Sequence, residues 1–516
     1  MRRRLALVTL ALAAAAGGAH AFDRDSLVRR KCAGCHEPAA DGRIPRVEDM
    51  RTTPEEWTVI VDRMRRLHGM PLGAGEMDRL LKELSATQIL APDEQRAVAY
   101  LSLWHNAQVV EAPADEAEAK AYAACVRCHT AGKILSYRMT PQAWAKLADF
   151  HLYIVPTVVF QMREMRWVEE AEAALAHFAR KLPYGSAWQA PRPDLAGTWA
   201  VFGYAPGRGP WRGEVRLADA GNGEWKIDGH AAHADGMSES FAGEATLYGG
   251  HALRTRTRND GVDTRGAFVV DGGRIGGEWH RPAPDFRTSR STWLRASGTP
   301  QVARVWPAFL VTGERTRLTV EGVDLPDVTA ADVRFAGAPV RVHAARRVAP
   351  TAVELVVTSS AAHLATAALT LRGLDAGTVT LAPAIDHIAV VPPLGRARMS
   401  GGTHYPAEGV QFEAIAYAKP ARRGAKPVAL GPVAATFRLA EATTRPGDDD
   451  LTWLGTIAPN GSYVPHVDYA PNPRRAYQGE NSGLVKVLAR YRRGERTHEA
   501  SAELIVTVPD YIARLR

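Results

Sequence analysis

Cys32-Ala33-Gly34-Cys35-His36, matched in form by Cys125-Val126-Arg127-Cys128-His129, uses every cysteine of the 516-residue chain. A CxxCH run is the attachment signature of c-type haem. Its two thiols add across the vinyl groups, and the adjacent imidazole becomes an axial ligand to iron. A zinc site has no need of a histidine directly after each second cysteine. A thioredoxin-like dithiol sits in a βαβ context, and a two-residue loop is poor disulfide geometry. The pattern therefore points to two covalent haems c on Cys32, Cys35, Cys125 and Cys128, with His36 and His129 on iron. A chain so equipped handles electrons.

Behind each motif runs an internal repeat. Arg51-Thr-Thr-Pro-Glu-Glu-Trp57 aligns with Arg138-Met-Thr-Pro-Gln-Ala-Trp144 at an offset of 87, and the match extends to Met64 and His151. Thr53 and Thr140 read as N-caps, with Pro54 and Pro141 at the first helical position; Glu56 completes a capping box in the first copy. Met64 and His151 each lie seven residues past their tryptophan, on the same helix face. Both side chains are competent iron ligands, which suggests His36/Met64 for one haem and His129/His151 for the other. Met70, in an expected loop between Gly69 and Pro71, is the rival to Met64, and His68 stands two residues away; the residues alone leave that choice open. Thioether ligation raises the potential, so the methionine-ligated haem is expected to be the higher of the two.

The N-terminus reads as a secretory signal over residues 1–21: Arg2 to Arg4, an apolar Leu5 to Ala16, and cleavage near Ala21 after Ala19-His20-Ala21. The apolar run is too short to span a bilayer, and no later run reaches spanning length. Haem attachment after export points to a periplasm. The formal charge of +8 falls to +5 without the three signal arginines, and haem propionates offset much of the rest. With no basic stripe, no nucleic-acid partner is expected. Arg63, Arg65 and Arg66 are assigned to propionates or a docking partner.

Composition shifts near residue 185 from helical spacing to short alternating strands rich in Gly, Val, Thr and Pro. The expected fold is multidomain: an α-helical dihaem cytochrome c domain (22–186), an antiparallel β-barrel or sandwich (190–298), and two immunoglobulin-like β-sandwiches (299–384 and 385–516). Ala91 to His105 is expected to close the first haem repeat, and Ala171 to Leu182 the second. Asn222-Gly223 and Asp271-Gly-Gly mark hairpins, and Trp199, Trp225, Trp279 and Trp293 are expected in the core. His230, His233, His280 and His404 are scattered singly and read as structural or solvated. No catalytic constellation is visible.

The chain resembles the α subunit of quinohaemoprotein amine dehydrogenase. The resemblance rests on CAGCHEPAADGR (32–43), TPEEWTVIVDRM (53–64), CVRCHTAGK (125–133) and TPQAWAKLADFHLYIVPT (140–157), and covers essentially the whole mature chain. It implies haem attachment at the four cysteines, with His36, Met64, His129 and His151 as axial ligands, and so favours Met64 over Met70. It also implies oxidation of primary amines by a heterotrimer. A small subunit carries cysteine tryptophylquinone, another is a β-propeller, and this chain passes electrons to a soluble copper protein or cytochrome c. With every thiol committed, the quinone belongs on a partner. The competing readings are a stand-alone dihaem electron carrier with β docking domains and a dihaem peroxidase.

Overall fold

A computed structural model describes residues 22–103, 111–281, 288–399, 407–420, 422, 424–444, 446–466 and 483–507. The expected signal segment, His105, His404 and Val508 lie outside these. In chain order the first elements are α1 (Leu27–Cys32), β1 (Met50–Arg51), α2 (Pro54–His68) and α3 (Glu76–Thr87). Then come α4 (Pro92–Ala97), a 3-10 turn (Ala99–Leu103), α5 (Glu116–Cys125) and α6 (Ala131–Leu135). The helical part ends with β2 (Arg138–Met139), α7 (Pro141–Ala145), α8 (Leu147–Ile154), α9 (Val158–Gln161) and α10 (Trp167–Lys181).

By its contacts the chain divides into two compact units. One joins the residues through Leu90 to Tyr137–Gln189; the other joins Ala91–Ser136 to the residues from Ala190 onward. The first unit is organised by the repeat. Thr53 and Thr140 both cap as expected, their hydroxyls accepting from the N–H of Glu56 and Ala143 at 3.2 Å. Trp57 and Trp144 are almost fully buried. Each indole N–H donates to the carbonyl that ends a later helix: Gln88 after α3 at 2.7 Å, Leu182 after α10 at 3.3 Å. Each copy also makes one parallel bridge just beyond that carbonyl, Thr52 to Ile89 and Met139 to Pro183. The helix that closes the first copy is thus α3, whereas Ala91 onward was expected to do so. Instead α4 lies on the barrel described below. Arg96 pairs with Asp271 at 2.7 Å, and Arg254 donates to the buried Gln95 amide oxygen at 3.4 Å.

In the second unit eight antiparallel strands close into a barrel: β3 (Gly197–Ala205), β4 (Gly209–Gly221), β5 (Glu224–His233), β6 (Ser238–Tyr248), β7 (Ala252–Asn259), β8 (Val262–Asp271), β9 (Arg274–His280) and β10 (Thr288–Leu294). Neighbours pair in chain order, and β10 returns to β3. The two hairpins read from sequence are present, with positive φ at Asn222 and Gly223 and at Gly272 and Gly273. Only such residues follow the twist of a two-residue loop at low cost. Trp199, Trp225, Trp279 and Trp293 fill the interior with Phe241 and Phe268.

The next domain is a sandwich of two four-stranded sheets between Gln301 and Ala382. Sheets of three, four and three strands follow between His387 and Thr507. The fold class is the expected one, a helical domain followed by a barrel and immunoglobulin-like sandwiches. Among the described residues no helix is long and apolar enough to cross a membrane.

Candidate haem-binding site

None of the four cysteines is in a disulfide. Ser26 caps α1 by accepting from the Arg29 N–H at 3.1 Å, and the helix ends at Cys32. There the chain tightens: the N–H groups of Cys35 and His36 both donate to the Cys32 carbonyl, at 3.1 and 2.8 Å. Two thiols and an imidazole therefore share one turn. A side chain at Gly34 would meet nothing within 4 Å, so the backbone between the thiols is open to a flat ring. Burial, then the neighbouring Cys35, pushes the Cys32 thiol up to about 11. Burial, then the charges of Arg46 and His68, holds the His36 ring below its ordinary value. A neutral ring is the form that binds metal.

The second motif repeats this at the end of a longer helix. Asp115 caps α5 through the Glu118 N–H at 2.8 Å. The helix ends at Cys125, whose thiol burial pushes up to about 11. Cys128 is exposed and Val126 is 40% exposed. His129 Nδ1 lies 2.9 Å from the Thr130 carbonyl. A carbonyl can only accept, so this contact puts the proton on Nδ1 and the lone pair on Nε2. Glu111 accepts from the N–H of Ala131 and Gly132 and from the Tyr100 hydroxyl, anchoring the chain just past the motif. Burial and this carboxylate raise the Tyr100 hydroxyl.

Of the residues expected on the far face of iron, Met64 is half-buried on α2 and Met70 half-buried in the loop after it. The two are joined at the helix end. Gly69 turns left-handed at φ 68°, and the N–H groups of Gly69 and Met70 both reach the Met64 carbonyl. That loop is tied to α1 by Lys31, next to Cys32, which donates to the Pro71 carbonyl at 3.0 Å and pairs with Glu76 at 2.7 Å. His68 is exposed and stacks on Tyr153, ring centroids 6.2 Å apart.

His151 is half-buried on α8, with Nδ1 2.6 Å from the Leu147 carbonyl and its ring 6.0 Å from that of Trp167. Its tautomer is fixed in the same sense as that of His129. His36, Met64, Met70 and His151 belong to the first unit, and His129 to the second. The arginines assigned to propionates are already engaged: Arg65 and Arg66 pair with Asp62, and Arg63 lies 4.9 Å over the Phe150 ring.

Three family models match. Residues 23–188 match "Quinohemoprotein amine dehydrogenase A, alpha subunit, haem binding", residues 192–291 match domain II of the same alpha subunit, and residues 388–514 match its domain IV. Together they span about three quarters of the chain. Curated proteins yielded no match. Among solved structures, a de novo fluorescence-activating β-barrel is similar at 19% identity, covering 20% of this chain and 93% of that one, TM-score 0.18. Cadherin-like domains 1 to 4 of zebrafish RET are similar at 11% identity, covering 60% of this chain and 65% of that one, TM-score 0.17. Mouse protocadherin-24 EC1-3 is similar at 13% identity, covering 48% and 79%, TM-score 0.16.

Proposed function

Since the chain belongs to the α-subunit family of the quinohaemoprotein amine dehydrogenases, an oxidoreductase subunit with a haem-binding domain, we propose that it is the electron relay of a periplasmic heterotrimer. In this reading Cys32 and Cys35 hold one haem c and Cys125 and Cys128 the other, by thioether bonds. His36 and Met64 serve the first iron, with Met70 the competing thioether; His129 and His151 serve the second. The donor set suits such groups. No disulfide engages the cysteines, each pair shares a tight turn with its histidine, and two of the imidazoles have Nδ1 committed to a carbonyl. Bound haem would supply one-electron transfer. The protein's part is to fix each iron's position and ligands and thereby its potential.

The electrons come, in this proposal, from a cysteine tryptophylquinone on a small partner subunit as primary amines are deaminated. A β-propeller subunit completes the assembly. A soluble copper protein or cytochrome c is the acceptor, and the chain is exported with cleavage near Ala21. The observation that carries the reading is that two CxxCH motifs use all four cysteines of a chain in this family. Affinity isolation of the native protein with mass measurement of bound subunits tests it. A small crosslinked subunit and a propeller subunit are expected to co-purify. A fully active single chain would refute the subunit reading, and peroxide turnover by that chain would replace it with a peroxidase.

A further inference from the structure

At the barrel end where β3, β5, β7 and β9 finish, apolar side chains do not fill the interior. Trp211, Phe241 and Trp279 wall a cavity of about 50 Å³ that opens into a wider mouth. His233, Glu239, Arg208 and Arg281 also line it. In the sequence His233 reads as a lone histidine on a β surface. Its side chain is only 3% exposed, and its Nε2 lies 2.9 Å from Glu239 Oε1. Its Nδ1 is buried with no hydrogen-bond partner among the described residues. A buried polar atom in that position calls for a partner.

The charges decide what kind of partner. Glu239 has both oxygens engaged, Oε1 with His233 and Oε2 with Arg281 Nη2 at 3.2 Å. The His233 hydrogen bond, outweighing burial, holds the Glu239 carboxyl below the usual carboxylate range. With both oxygens already engaged, it is a poor receptor for a further cation. Arg208 donates to both oxygens of Asp235, at 2.9 and 3.4 Å; Asp235 is 36% exposed and does not line the cavity. Two guanidiniums thus face one compensated carboxylate, and an imidazole paired with a carboxylate can, when protonated, donate from Nδ1 as well. The field inside favours an anion, and three aromatic walls favour an apolar tail. The volume sets the size, since a cavity near 150 Å³ is what holds benzene.

We propose that this barrel mouth binds a short-chain monocarboxylate. Its carboxylate is received by Arg208, Arg281 and His233, and its alkyl tail lies against Trp211, Phe241 and Trp279. The proposal is independent of the haem reading.

Propionate is the probe, measured by equilibrium dialysis on the full-length haem-loaded protein. One saturable site per chain is expected. Propionamide, with the same shape and no charge, should bind at least about tenfold more weakly, and propylammonium should not compete. Arg281→Gln and His233→Gln should each weaken propionate by at least about tenfold while leaving the haem spectrum unchanged. Absence of saturable propionate binding would overturn the proposal, as would equal binding of acid and amide, a preference for propylammonium, or undiminished binding in both variants. The comparison of acid with amide on the unaltered protein decides the matter even where a variant fails to fold.

Discussion

Arg51 and Arg138, 87 residues apart in the chain and equivalent in the repeat, sit directly opposite one another in the antiparallel pairing of β1 with β2. The two copies therefore meet about a local two-fold axis. The surroundings are not symmetric. Arg51 is buried and donates to the carbonyls of Tyr184 and Ile89, whereas Arg138 donates to its neighbour Tyr137. Glu56 adds a second link between the copies, its Oε2 accepting from the Tyr137 hydroxyl at 2.6 Å.

Trp57→Phe is expected to destabilise the protein. The change keeps most of the ring and leaves the buried Gln88 carbonyl without the indole N–H. That carbonyl keeps the Thr52 N–H at 3.2 Å, so losing the indole bond costs about 0.5–1.5 kcal/mol. Denaturant unfolding of the haem-loaded protein measures it, and an unshifted midpoint would mean that the indole bond contributes nothing.

Met64→Leu and Met70→Leu separate the two candidate thioethers. The proposal expects Met64→Leu to abolish the sulfur-to-iron charge-transfer band of the ferric protein and to lower the potential of one haem, while Met70→Leu preserves both. The reverse result would move the assignment to Met70, whose loop Lys31 ties to α1.

His151→Met replaces an imidazole by a thioether in the ligand set proposed for the second haem. The midpoint potential of the lower haem should rise in a redox titration. An unchanged potential would remove His151 from the iron.

Glu321→Gln should destabilise the second unit strongly. Arg304 and Glu321 are largely buried and joined at 2.5 Å, and Arg304 also donates to backbone carbonyls of Gly203 and Trp211. Removing the carboxylate strands a guanidinium, at a cost of about 3–5 kcal/mol. Replacing both by leucine should cost less than the single change. A double variant weaker than Glu321→Gln in chemical denaturation would contradict this account.

Glu239 gives a pH dependence of defined sign. Its carboxyl is held below the ordinary value by His233, against burial, with help from Arg281. A depressed folded value contributes stability above the unfolded value, lost as pH falls through the folded one. The stability gap between the natural protein and Glu239→Gln should therefore be present at neutral pH and close in acid. A gap that persists unchanged into acid would exclude this carboxylate as its source.

Much of the local structure around the candidate site was legible because its determinants are local. CxxCH, Thr-Pro helix starts and Asn-Gly turns act within a few residues, and the spacing of Trp57 to Met64 and Trp144 to His151 announced the repeat. What escaped was long-range. The capping box proposed for Glu56 shows why: Thr53 accepts the Glu56 N–H as read, but the Glu56 carboxylate also takes a hydroxyl 81 residues away. Nothing near Ala91 indicates that its helix lies on a barrel strand formed by residues 262–271. His233, Glu239 and Arg281 are unremarkable singly, and only the closure of β10 on β3 makes a common interior for them.

The interleaving of the two units also sets a schedule for the growing chain. Residues up to Leu90 emerge first, yet the carbonyls awaited by Arg51 and Trp144 arrive only with Tyr184 and Leu182. The first unit stays incomplete until the chain has gone through Ser136 and come back. Contacts so distant in sequence form late. The turn bearing Cys32 and Cys35 is built by neighbouring residues and needs no such wait. The turn at the first motif can thus precede final folding, and a truncation between Cys35 and Gln189 would leave that turn formed on a polypeptide that cannot finish its fold.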